Sequence, residues 1–445
     1  MAEAFNTIVV GAGVAGLCAS ISSAQAGKKT LLIDRLRSEE WIKSNPVNQF
    51  FNSIDPERQG MQGIIDSPDF FYKQTLNHGS FRGQPNLVKL LCYKAYEAQK
   101  WLESLGIKFK ERVIQLPGGD FARTLAVDDP ANLKRLLLAS ASKLQVAFLE
   151  ESAMTDFVKE GSLYRVDLLN SAHKKLIVKG ENLVLCCGGF SSNSELCSIH
   201  DPRTKNLPFL SNSADTGHVL QMARKKGADV VALDQIDHVF GLSRPSFLEL
   251  ELPATNYILV DRNGKQIPSE GPGGAVEALL NQSDQETFLV STERLLKEGL
   301  DSSVFEKIAA LALSPGNLIK KVNLSKVPKD CGVNTEGLMD TLACYENSIN
   351  ASRKISLLAS SFVGDGTPVW LLPVTAARTA TLGGLFINDN AQVLHLRGKP
   401  IPGLFAAGEI VGGIHGAKAS PGNILSERVI FGRIAGQTQS FRPNI

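Results

Sequence analysis

The chain predicts an α/β fold with a segment inserted into it, and three observations carry that prediction. Residues 7–34 run an apolar strand into Gly11-x-Gly13-x-x-Gly16, then a small-residue helix, then a second strand ending at Asp34. Residues 183–187 form another buried strand that leads into Gly188-Gly189, and residues 403–409 a third that ends in Gly408 beside Glu409. From about residue 230 the texture changes to helical stretches separated by polar, glycine- and proline-containing loops, and strands return after about residue 368. A strand–glycine loop–helix–strand unit is the device that cradles a dinucleotide. Gly11 permits the tight turn, Gly13 lets backbone approach a pyrophosphate, and Gly16 lets helix and strand pack closely. The helix N-terminus offers free N–H groups to the phosphates, and Asp34, 23 positions after Gly11, is placed to accept from an adenosine ribose.

The remaining elements follow from periodicity and punctuation. Apolar residues at helical spacing predict a helix over 86–104, closed by Gly106. A second helix is expected over about 130–142, with Pro130 suited to its first turn. Short strands are expected at 146–149, 164–169 and 175–178, the last two joined as a hairpin by the polar stretch 170–174. A helix over about 214–226 closes at Gly227. In the inserted segment, helices are expected over 275–280, 293–298, 304–313 and 336–353. Strands at 381–387, 392–394 and 404–407 then precede a helix running from about 421 to 437.

Composition narrows the function classes. The chain has 445 residues, 43% hydrophobic and 21% charged, enough for two or three lobes with full cores. Its 47 basic and 45 acidic residues leave a net charge of +2, with no dense basic run, which argues against a nucleic-acid partner. The seven cysteines, at 18, 92, 186, 187, 197, 331 and 344, form no CxxC or Cys/His pattern. No metal is therefore expected, and free thiols fit a reducing cytoplasm. No apolar stretch reaches the roughly 18–20 residues of a membrane span, and the first strand starts too early for a signal peptide.

The glycine-rich run 411–425, which contains His415 and Lys418 and opens a helix, can approach a flat ring and offer donors to negative charge that develops on it. In order along the chain, GAGVAGL with Asp34, LVLCCGGFSSN, TLGGLFIN and GLFAAGEIVGGIHGA…GN resemble the fumarate reductase/succinate dehydrogenase flavoprotein family. That family also holds aspartate oxidases, urocanate reductases and 3-ketosteroid dehydrogenases. The resemblance implies a Rossmann-like FAD-binding domain made from both chain ends (1–233 and 369–445) with an inserted α+β capping domain (234–368). It implies that Gly11, Ala12, Gly13, Ala15, Gly16 and Asp34 hold the ADP moiety, with Arg35, Met154 and Gly408 among the other cofactor-binding residues. Gly188 and Gly189 would lie near the pyrophosphate, Glu409 at the ribityl hydroxyls, and Asn423 and Ile424 at the pyrimidine edge.

The departures from the family bear on the substrate. Where dicarboxylate-binding members carry His-Thr-Met-Gly-Gly, this chain has Ala380-Thr381-Leu382-Gly383-Gly384. The arginine of Gly-Ala-Asn-Arg is replaced in Gly416-Ala417-Lys418-Ala419, and Gly273-Gly274 stands at the proton-donating arginine. Alanine or glycine cannot replace a bidentate guanidinium without leaving a carboxylate unpaired, so fumarate, succinate and aspartate are not expected substrates. Residues 43–48 carry no histidine, so FAD is expected to bind noncovalently. Thr216-Gly217-His218-Val219 replaces the family's Thr-Gly-Asp-Gly.

Candidates for the chemistry are His415, at a family position close to the flavin; Arg378, as a relocated anion clamp; Lys418, beside the missing arginine; and Arg123. In the cap, Tyr257 and Glu270 are acid/base candidates. For each, a purely structural role is the alternative. The expected function is an FAD-dependent oxidoreductase. It would move a hydride between flavin N5 and a C–C or C–N bond next to a carbonyl, as ene-reductase or desaturating dehydrogenase. With no second GxGxxG unit in the chain, a separate electron donor or acceptor is expected: free flavin, oxygen or a redox protein. A flavin-binding protein without turnover and an oxygen-using oxidase or hydroxylase are the competing readings.

Overall fold

The computed structural model describes residues 4–43, 49–116, 121–243, 246–269, 274–282, 285–314, 319–323, 332–347 and 368–438. The chain divides into two compact units. The first comprises residues 1–196, 211–237 and 380–445, and the second residues 197–210 and 238–379.

The first unit is built on β1 (Phe5–Val10), α1 (Val14–Gln25), β2 (Thr30–Ile33), α2 (Pro68–His78), α3 (Pro85–Ser104), α4 (Leu133–Lys143), β3 (Ala147–Leu149), β4 (Ser152–Glu160), β5 (Leu163–Asn170), β6 (Lys175–Leu185), α5 (His218–Lys225), β7 (Gln392–Leu394), β8 (Pro400–Ala406) and α6 (Asn423–Thr438). Its sheet runs β7-β8-β6-β1-β2-β3, with β4 and β5 attached through β6. β1 pairs in parallel with both β2 and β6, and β8 pairs in parallel with β6. Between β1 and β6 the connections leave in opposite directions, which opens a crevice at the carboxyl ends of these strands. Ile8, Val9, Leu32, Ile33, Leu183 and Val184 are fully buried there, as expected of parallel strands covered on both faces.

The second unit holds an antiparallel sheet in the order Leu248–Glu249, Ile236–Leu242, Pro368–Thr381, Thr287–Thr292, Ile258–Asp261 and Gln266–Ile267, with Lys320–Asn323 added on Pro368–Thr381. Alternate residues face opposite sides. Leu259, Leu289 and Leu372 join one core with Tyr257 and Trp370, while Ile258, Val260, Phe288, Val290 and Leu371 join the other with Leu338 and Leu342.

The helices expected over 86–104, 275–280 and 293–298 form as Pro85–Ser104, Gly274–Leu280 and Glu293–Gly299. Three expectations need correction. The hairpin's second strand and the buried strand at 183–187 are one continuous strand, β6, pairing antiparallel with β5 at its start and parallel with β1 at its end. The strand expected at 381–387 lies upstream, over Pro368–Thr381, leaving only Gly384–Leu385 beyond it. The helix expected from 214 starts at His218, because the left-handed Gly217 (φ 70°) caps it and leaves 214–216 as loop. In the insert, 348–353 of the last expected helix lies outside the described residues.

Candidate cofactor cavity and glycine-rich loop

A cavity of about 550 Å³ opens at the crevice between β1 and β6, within the roughly 300–1,000 Å³ of small-molecule sites. Gly11 turns the chain at φ 103°, and a Cβ there would lie 2.1 Å from the Cys186 carbonyl oxygen. No other residue fits that turn. At Gly13 a Cβ would meet nothing within 4 Å, so this backbone faces open space where a bulky anion can approach. Asp34 is fixed by backbone donors: its Oδ2 accepts from Ala12 N–H at 2.6 Å and its Oδ1 from Leu36 N–H at 2.8 Å. Burial nevertheless pushes its carboxyl above the ordinary value.

Ten residues singled out from the sequence line this one cavity: Gly11, Gly13, Ala15, Asp34, Arg35, Met154, Gly188, Gly189, Gly408 and Glu409. Four others do not. Ala12 is buried behind it, holding Asp34, and Gly16 packs on the Gly11 carbonyl. Asn423 is fully buried, its side chain bonded to Asn52 (2.8 Å) and Thr75 (3.3 Å). Ile424 follows it in the first turn of α6 and is half-buried.

The far end of the cavity is acidic. The Glu409 carboxylate accepts from Thr381 N–H at 3.1 Å and pairs with Arg428 at 3.4 Å. Gly189 is required beside it, since a Cβ would lie 2.0 Å from Thr381 Oγ1 and 2.6 Å from Glu409 Oε1. Burial raises the Glu409 carboxyl. Burial, reinforced by Glu409, pushes Asp215 up to about 8. Burial likewise pushes Glu427, which accepts from Gly408 N–H at 3.2 Å, up to about 7. On the opposite sign, Lys134 lines the cavity and is brought down to about 8 by burial and by Arg428.

Lys134, Asp215 and Arg428 were not read from the sequence. Lys134 is a lysine among the apolar positions of α4. Asp215 directly precedes the Thr216-Gly217-His218 stretch that lacks the expected acid. Arg428 lies one turn into α6, where nothing local marks it.

The glycine-rich loop at 411–421 is held by backbone. Gln84 N–H donates to the Gly413 carbonyl at 2.7 Å, and Ala417 N–H to the Gly79 carbonyl at 2.9 Å. His415 is 8% exposed and its Nδ1 has no partner among the described residues. Burial, then Arg428, brings its imidazole down to about 4, so it is neutral at pH 7. Lys418 is exposed.

Arg123 is buried and borders a small cavity with Ser420 and Pro421 of the loop. Its guanidinium grips the buried Asp66 carboxylate with two contacts, Nε–Oδ2 at 3.0 Å and Nη2–Oδ1 at 3.1 Å, and lies over Phe71 with its carbon 4.6 Å from the ring centre. Tyr257 and Arg378 belong to the second unit. Tyr257 is buried against Phe240, with its phenol pushed up to about 12 by burial. Arg378 is fully buried and donates to the Leu207 carbonyl at 3.0 Å. Glu270 lies outside the described residues.

A glycine-turned cavity at a sheet switch point, an acid closing the second strand and a carboxylate at the far end define a dinucleotide-binding α/β protein. Residues 6–425 match the family described as FAD binding domain, and the chain belongs to it. The family is one of FAD-dependent oxidoreductases, with reductase and dehydrogenase members that act on C=C bonds. It is similar to fumarate reductase 1 of Saccharomyces cerevisiae (strain ATCC 204508 / S288c), 27% identical over 471 residues that cover 97% of each chain. It is also similar to NADH:fumarate oxidoreductase of Klebsiella pneumoniae (strain 342), 25% identical over 459 residues; there the match covers 99% of this chain and 48% of the relative, about half its length. The fold is that of the open conformation of a flavocytochrome c3 fumarate reductase, with a TM-score of 0.80 and 23% identity over 98% of this chain and 78% of that one. No helix among the described residues is long and apolar enough to cross a membrane.

Proposed function

We propose that the chain binds FAD noncovalently along the cavity and the 411–421 loop, and moves a hydride between flavin N5 and a C–C or C–N bond next to a carbonyl of a substrate that is not a dicarboxylate. The observation that supports this most is the pairing of a complete glycine cradle with an unclamped loop. Gly11, Gly13, Gly188 and Gly189 line one cavity ending in Glu409, whereas Ala419 is buried where the family's arginine would stand.

Bound there, FAD supplies hydride exchange at N5. The chain's residues do the rest. Gly13 leaves room for the pyrophosphate, Asp34 and Glu409 accept hydroxyl hydrogen bonds at the two ends, and the backbone of 411–421 offers donors to charge on the ring. A buried, neutral His415 does not repel a proton donor and adds no charge of its own. Electrons arrive from, or leave to, a separate donor or acceptor. The test is acid precipitation of purified protein followed by anaerobic turnover with neutral enones and with fumarate. Released yellow flavin and turnover of an enone but not fumarate support the proposal. Flavin retained in the pellet contradicts noncovalent binding, and efficient fumarate turnover contradicts the substrate class.

A further inference from the structure

Small residues set the register between α1 and α6. A Cβ at Gly432 would lie 2.4 Å from the Ala15 carbonyl oxygen, and one at Gly436 2.3 Å from that of Ala19. One turn along α6 thus matches one turn along α1, so the two helices run side by side in the same direction. The same step taken backwards sets Arg428 level with Gly11, where the chain turns into α1. α4 also packs on α1, and Lys134 is its second residue. Like α1, α4 leads into a parallel strand of the sheet, here β3, so its first turn opens at the same crevice. Lys134 and Arg428 both line the cavity there, although Lys134 is only 7% exposed and the Arg428 side chain 12%. Arg35, which lines it too, is exposed.

These two buried cations are neighbours. Burial, with Arg428 adding to it, brings the Lys134 ammonium down to about 8, which still leaves it protonated at pH 7. Three carboxylates line the same cavity: Asp34, Asp215 and Glu409. Arg428 pairs with Glu409 at 3.4 Å and counters the rise of Asp215, while Asp34 supports the charge of Lys134. With carboxylates alone the cavity would repel an anion. With Lys134 and Arg428 in place, a ligand that brings negative charge to the start of α1 meets two basic groups there. Keeping two like charges out of water is costly, and functional sites are where such costs are kept.

We propose that Lys134 and Arg428 clamp the diphosphate of the bound dinucleotide, adding two charge-assisted contacts to the backbone donors of the glycine turn. This rests on the reading of the cavity as the FAD site. Arg428 then spans Glu409 and the diphosphate, and Lys134 reaches the diphosphate from α4. The chain holds its cofactor by charge as well as by backbone.

The test titrates flavin-free protein with FAD, follows the quenching of flavin fluorescence, and then displaces the flavin with ADP or with adenosine. Lys134→Met and Arg428→Gln are each expected to weaken FAD about tenfold, and Lys134→Arg and Arg428→Lys to restore most of that loss. In the wild type ADP is expected to displace FAD at least about tenfold more effectively than adenosine, and both neutral variants narrow that ratio. Thermal midpoints of the flavin-free proteins report whether each variant folds, and the Lys134 variants carry the test if Arg428→Gln does not. Unchanged FAD affinity in a folded Lys134→Met protein overturns the proposal. So does a loss that Lys134→Arg fails to restore, or one that weakens adenosine as much as ADP, since a merely structural role would act on both. A wild-type protein that binds no FAD is a separate result and counts against the cofactor reading instead.

Discussion

The two ends of the first unit are built on different principles. At the β1–β6 crevice the site is backbone: Gly11 and Gly189 hold positions a Cβ would destroy, and Asp34 is tied by two main-chain N–H groups. At the 411–421 loop backbone supplies the frame, through Gln84 N–H on Gly413 and Ala417 N–H on Gly79, and the buried His415 Nδ1 has no partner among the described residues. A site made by backbone recognises what every family member binds, whereas one made by side chains is free to change its ligand. This contrast fits the proposed function, in which the glycine cradle holds FAD while the loop, with Ala419 buried in it, takes a substrate that is not a dicarboxylate.

The largest effect on cofactor binding is expected at the crevice. Gly11→Val should abolish FAD binding and cost about 2–4 kcal/mol of stability, since it combines a 2.1 Å clash with a φ of 103°; flavin content and urea unfolding measure it. If Gly11→Val binds FAD normally, the backbone account of this end fails. Arg123→Ala should cost a comparable amount, about 3–5 kcal/mol, because it strands the buried Asp66 carboxylate. Retained stability with a large loss of substrate affinity would instead return Arg123 to the substrate.

A smaller, pH-dependent effect is expected at Asp215. Its carboxyl is raised from 3.8 to about 8 in the folded state. Between those values the unfolded chain binds fewer protons, so this group makes stability fall as pH rises. Asp215→Asn removes the penalty, and the flavin-free variant should exceed wild type by about 1–3 kcal/mol at pH 8, with the gain vanishing at pH 4. Denaturant titrations at the two pH values check the sign. Lys418→Ala, at an exposed position, should change stability by no more than about 0.5 kcal/mol; a larger loss would show that the loop depends on this side chain.

Legibility followed the same division. Gly11, Gly13 and Asp34 are readable because turn, close approach and strand-end acid fall within one local stretch of sequence. Strand β4 and the second unit's strands at Ile236–Leu242, Ile258–Asp261 and Thr287–Thr292 were not read. They are short apolar runs among polar loops, and only distant pairing makes them strands. Site residues were lost for a related reason. Arg123 finds Asp66 57 positions away, and Lys134, Asp215 and Arg428 reach one cavity from three separate segments.

The central claim is a cradle that holds FAD beside a loop that no longer grips anions. Calorimetric titration of flavin-free protein with FAD, comparing wild type with Gly189→Val, tests it most directly. The account predicts one FAD per chain in the wild type and no measurable binding in the variant, whose side chain would displace Thr381 and Glu409. Equal affinity in the two proteins would contradict it.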